Sequence, residues 1–117
     1  GLMSNNTVSV TAEQANQMRL DCNKTMELEK VLIRLENNGD FKRLIKHYTE
    51  EEASRAVALL AEPSFYMSND ADKYRKDLQE RLIGIARFSE YLRSIHRTAG
   101  IAQKDLEALD NAEIVME

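Results

Sequence analysis

The residues of this chain whose types could do chemistry are few: His47, His96, the single cysteine Cys22, and the carboxylate run Glu50, Glu51 and Glu52. A metal site carried by a helix needs a second ligand of the right sort at i+3 or i+4, and neither histidine has one. His47 precedes Tyr48 at an expected helix end, where an imidazole sits well near the negative end of the dipole. His96 lies beside an apolar stripe that it could line. Three acids directly after Thr49 are what the positive end of a helix favours, so they read as a solvated first turn. One cysteine makes no disulfide within the chain and no thiolate cluster, so Cys22 reads as a small thiol packed on a helix. With 4 glycines the chain offers neither a phosphate loop nor a nucleophile elbow, and no HExxH or EF-hand loop occurs. The expectation is a protein that is not an enzyme, with no catalytic or cofactor-binding residues, no metal and no cofactor.

The other chemistry to weigh is phosphate contact. Lys73, Arg75, Lys76, Arg81, Arg87, Arg93 and Arg97 outnumber Asp77, Glu80 and Glu90, with Tyr74 and Tyr91 interleaved. They spread around a helix rather than forming one stripe, and pairs such as Asp77 with Arg81 account for several. Net charge is −4, so nucleic acid is not the expected partner. Past Lys104 the sign reverses through Asp105, Glu107, Asp110, Glu113 and Glu117. A basic and an acidic segment on one helix attract each other between two antiparallel or staggered copies.

The element that carries these groups is written in sevens. Leu78, Ile85, Leu92, Ala99 and Leu106 share one heptad position; Phe88, Ile95, Ala102, Leu109 and Met116 follow three residues on. That is the a/d seam of a helix packed along its length, broken only at Arg81 and Glu113. Gly100 falls at an outward position with the register unbroken on both sides, which favours one long helix over a stop there. The seam's first half packs on the chain's own shorter helices. Those helices read as too short to cover all of it, so the rest is expected to meet a second copy through Leu92, Ile95, Ala99, Ala102, Leu106, Leu109 and Met116.

Upstream, Thr11 and Gln14 have capping-box spacing and open an amphipathic helix to about Asn37, with Met18, Cys22, Thr25, Leu28, Leu32 and Leu35 on one side. Asn37 to Asp40 make a short turn, with Gly39 as its left-handed stop and Asp40 as the next cap. Phe41, Leu44, Ile45 and Tyr48 then repeat at helical spacing. Thr49 with Glu52 reads as a second capping box that restarts the helix with Ala53, Ala56, Val57 and Leu60 inward. Pro63 closes this pair, and Phe65, Tyr66 and Met67 stand in the following loop, tucked under the helices rather than offered outward. Asn69 or Asp70 then caps the long helix.

Apolar residues make up 43% and charged residues 31% of 117 residues, which suits one folded helical domain. No apolar run reaches a membrane span and no signal peptide is visible, which places the chain inside a cell. Gly1 and Leu2 precede Met3 and read as a cloning remnant. The expected organisation is a mobile arm at 1–10, a helical domain at 11–99, and at 100–117 an extension of the long helix for self-association. The class is all-α, a helical bundle with a long C-terminal helix.

The segment NGDFKRLIKHYTEEEASRAVALLAEPS at Asn38 to Ser64, with KDLQERLIGIARFSEYLRSI at Lys76 to Ile95, resembles small helical proteins of tailed bacteriophages. The shared features are a DFK-type start at Asp40–Lys42, the pattern within Glu52–Pro63, and a final helix ending in a charged tail. The resemblance implies a protein of the virion or head-assembly gene region, present in the host cytoplasm and the virion, and it brings no functional residues with it. Together the two readings give a non-enzymatic structural or assembly protein that forms homo-oligomers and contacts other virion or host proteins. The alternative is a small regulator that binds and inhibits a host protein.

Overall fold

The computed structural model describes residues 9–115. Met116, expected in the seam, and residues 1–8 of the expected arm lie outside them. The chain runs as β1 (Ser9–Thr11), α1 (Ala12–Glu36), α2 (Gly39–Lys46), a π-helical segment (His47–Glu52), α3 (Ala53–Leu60), a 3-10 turn (Pro63–Met67), α4 (Ala71–Asp110) and β2 (Glu113–Val115). It is an all-α fold with a long C-terminal helix, joined by one short ribbon of two strands. Two compact units divide it: residues 9–33 with 94–115, and residues 34–93.

In the first unit α1 begins where the sequence places it. Thr11 N–H donates to Gln14 Oε1 at 3.0 Å, and Gln14 N–H donates to Thr11 Oγ1 at 3.1 Å, a reciprocal capping box. Ser9 and Val10, expected in a mobile arm, are instead a strand paired parallel to β2, with Val10 opposite Ile114. Val10 is buried with Ala15 and Leu109, and Ala112 packs on them. Burial of a β-branched side chain against the helix ends is what holds this segment in place.

The end of α4 departs from expectation in the same place. The helix runs unbroken through Gly100 but stops at Asp110 instead of continuing to Met116. Asn111 turns its side-chain amide back onto the Glu107 carbonyl at 3.1 Å, satisfying a carbonyl at the helix end. Beyond it, Ile114 and Val115 favour a strand, and Glu113 would have put a charge in the seam. At Gly100 a Cβ would meet nothing within 4 Å. Gly100→Ala is therefore expected to stabilise the chain by about 1 kcal/mol, the helix-propensity gain, read from the midpoint of urea unfolding.

The second unit is set by one register. Asn38 caps α2, accepting Phe41 N–H at 3.0 Å. Gly39 is then an ordinary helical residue, with no glycine or other described residue at positive φ, so it is not the left-handed stop. Thr49 does not restart a helix either: its hydroxyl donates to the Ile45 carbonyl at 2.8 Å inside a helix that continues through the π segment. The inward row is Phe41, Ile45, Thr49, Ala53, Ala56 and Leu60, all half-buried or buried. An α-helix of 3.6 residues per turn would carry Leu60 roughly 100° away from Phe41. Turns closed by i→i+5 bonds take up the excess and keep the row on one face. Leu44 and Val57, expected inward, fall off this row and are 64% and 54% exposed.

Leu78 and Ile85 of α4 are buried in this unit, as is Ala56. Tyr48 stacks edge-on against Phe88 with ring centroids 5.8 Å apart. Gly84 leaves room beside the same tyrosine, whose hydroxyl would lie 3.9 Å from an added Cβ. The loop triplet splits. Phe65 is half-buried, with its ring 6.1 Å from that of Tyr74, whereas Met67 is 86% exposed. The Tyr66 hydroxyl donates to the Leu60 carbonyl and so ties the 3-10 turn to the end of α3.

Candidate functional site

The seam residues expected to meet a second copy are mostly used up within the chain. Ile95, Ala99, Ala102 and Leu109 are 5%, 3%, 5% and 4% exposed, and Leu92 and Leu106 are half-buried. In the first unit α1 lies antiparallel to the end of α4. Met18 meets Ala108 and Leu109 around one small cavity, and Cys22 and Thr25 face Thr98 and Ala102 around another. Arg19 Nη1 reaches Asp110 Oδ1 at 2.9 Å. The alanines let the two helices approach closely, so α1 fills the place assigned to another chain.

The inward face of α1 is also turned from the expected one. Ala15 and Leu32 are buried and Cys22, Thr25, Met26 and Glu29 half-buried, whereas Leu28 and Leu35 are 44% and 41% exposed. The polar member is Glu29. His96 Nδ1–H donates to its Oε2 at 2.8 Å, across 67 residues of sequence. A glutamate on the packed face hid that face from any search by hydrophobicity. The only signal for it was a heptad row of Ala15, Cys22 and Glu29, weak without its partner.

The other chemical candidates have local partners. His47 Nε2 lies 3.6 Å from Glu52 Oε1 and 4.0 Å from Glu51 Oε2, and Arg55 reaches the same Glu52 oxygen at 3.4 Å. The His47–Glu52 contact, five residues apart, exists because of the π turn; in an α-helix the two would point about 140° apart. Burial pushes the Cys22 thiol pKa up, and the charges of Asp105 and Asp21 push it the same way. That disfavours the thiolate a nucleophile needs. Among the described residues no three His, Cys, Asp or Glu side chains gather to hold a metal. No helix of the described residues is long and apolar enough to cross a membrane. Along basic α4, Arg75 pairs with Asp72, and Arg93 Nε is 3.2 Å from Glu90 Oε2. These are i,i+3 pairs rather than the expected i,i+4 pair of Asp77 with Arg81.

What remains open is apolar. On α1, Leu20, Leu28, Val31 and Leu35 are 55%, 44%, 40% and 41% exposed. At 3.6 residues per turn they fall within roughly 80° of one another, on the side away from Ala15, Cys22 and Glu29. In the second unit a groove of about 350 Å³ is floored by Phe41, Ile45 and Leu92 and edged by Lys42, Lys46 and Glu50.

Comparison with protein-family models, curated proteins and solved structures returns no match. The functional reading rests on these two surfaces. Both are mainly apolar and exposed among the described residues.

Proposed function

We propose that this chain is a non-enzymatic structural or assembly protein that works through helix-mediated protein–protein contacts, including contacts with copies of itself. The setting, a tailed-bacteriophage particle or its assembly, comes from the resemblance at Asn38–Ser64 and Lys76–Ile95. The observation that supports the contacts is the outer row of α1. One exposed leucine needs no explanation, but four large apolar side chains along one face of one helix, opposite its packed face, do. A helix with two apolar faces is suited to pack on its own chain with one and on a neighbour with the other.

Light scattering after size exclusion tests this reading, on the intact chain and on Leu28→Lys/Val31→Glu. Both positions are exposed, so the substitutions leave the packed face alone. The expected result is a dimer or larger for the intact chain at about 100 µM, at the weak end of interface affinities. The variant is expected to be a monomer with an unchanged thermal melt. An intact chain that is monomeric at every concentration would remove self-assembly and favour a regulator that waits for a host protein.

A further inference from the structure

We propose that the groove floored by Phe41, Ile45 and Leu92 takes an amphipathic helix from a different protein, one whose edge carries two carboxylates followed by a cation. The three floor residues are half-buried, an apolar trough open on one side. Along its rim Lys42, Lys46 and Glu50 come every fourth residue, so their side chains form a row along α2 and the π segment. None of the three makes an ion pair or a side-chain hydrogen bond among the described residues. Lys46 and Glu50, at the spacing that pairs readily in an α-helix, stay apart where the helix widens.

A row of plus, plus, minus recognises its complement. The floor supplies burial and the row supplies direction. A helix laid in the trough with apolar residues at i, i+3 or i+4 and i+7 fits the recurring helix-in-groove mode. Its edge toward α2 presents two carboxylates to Lys42 and Lys46 and a lysine or arginine to Glu50. An extended peptide would need an open sheet edge to pair with, and helices wall this groove. A second copy of this chain suits it poorly through the outer row of α1: Lys30 is paired with Glu27 at 3.0 Å, and the cations left along that row, Lys24 and Arg34, would face Lys42 and Lys46 with like charge. Glu36 at the margin of the groove leaves the order of charges along the α2 rim unchanged.

The test uses two labelled synthetic helices of about 18 residues, the length of roughly five turns, with the same leucine face. One has an acid–acid–base edge and the other a base–base–acid edge. Fluorescence anisotropy at low salt reads their binding to the Leu28→Lys/Val31→Glu chain, so that self-association does not enter. The same measurements are made with Lys42→Glu, Lys46→Glu and Glu50→Lys added. We expect the acid–acid–base helix to bind the first chain roughly tenfold tighter than its mirror, the preference to invert in the second, and the gap to close as salt rises. Amide shifts should move at Phe41, Ile45 and Leu92. Equal binding of the two helices, no binding at about 1 mM, the weak limit of specific association, or shifts confined to other residues would overturn the proposal. None of these outcomes bears on whether the intact chain self-associates.

Discussion

A chain ending at Gly100 is expected to lose the fold of α1, not merely an appendage. The truncation removes Ala102 and Leu109, which are buried, Leu106, which is half-buried, and all of β2. It strips the cover from Val10 and Ala15, now 6% and 4% exposed. Each large apolar side chain returned to water costs about 1.5–3 kcal/mol, so the loss is on the order of 5 kcal/mol or more. That is comparable with the whole stability of many small domains. The N-terminal half of α1 then stands alone at a length where isolated helices are marginal in water. Circular dichroism should show more helix lost than the removed residues contained, and hydrogen exchange should show unprotected amides before Glu29. Protected α1 amides in the truncated chain would show that α4 beyond Gly100 does not support it. The consequence for assembly is direct: cutting at Gly100 cannot report on self-association, because it unfolds the surface that the outer row of α1 belongs to. Point substitutions at Leu28 and Val31 can.

The helices were legible because their signals are local. The capping box of Thr11 and Gln14, the break before Pro63 and the unbroken heptads through Gly100 each depend on residues a few positions apart. What could not be read was which partner each face meets. The seam from Ala99 to Leu109 was plain as an apolar stripe, but nothing near it in sequence says that α1 covers it. Glu29 disguised the covering face, and its partner His96 is 67 residues away. The strand at Ser9–Thr11 was invisible for a similar reason, since three polar and β-branched residues mean nothing until Glu113–Val115 lies alongside. Of the candidate surfaces, Leu92 alone among the seam residues lines one, the groove with Phe41 and Ile45. The α1 row became visible only after the packed face was known. Leu28 and Leu35 look like core in sequence because apolar residues on an amphipathic helix are assumed to face inward.

Deleting Glu51 should leave the fold standing, although losing one residue from the middle of a helix ordinarily rotates everything after it by about 100°. The π segment is the reason. Leu60 comes 19 positions after Phe41 in the inward row, one more than the roughly 18 positions that bring an α-helix back to the same face after five full turns. Without Glu51 an uninterrupted α-helix keeps Phe41, Ile45, Ala53, Ala56 and Leu60 on one side with no widened turn. His47 and Glu52, now 3.6 Å apart at five residues, would become an i,i+4 pair, the spacing that supports an α-helix. Glu51 is exposed and its contact with His47 is at 4.0 Å, so little is lost with it. The comparison is deletion of Gly100, an exposed residue in regular α4 within the first unit. There no excess residue exists, and removing one turns Ala102, Leu106 and Leu109 by about 100° relative to Ile95 and Ala99, away from the α1 residues they now face. Moving these side chains into water and uncovering Val10 and Ala15 exceeds what a small domain can lose, so the Gly100 deletion should show no cooperative melt. The Glu51 deletion should melt cooperatively within a few degrees of the intact chain, a shift of about 1 kcal/mol or less. If both deletions abolish the transition, the widened turn is not what reconciles α2 with α3, and the register of the inward row is held by contacts that the π geometry itself makes.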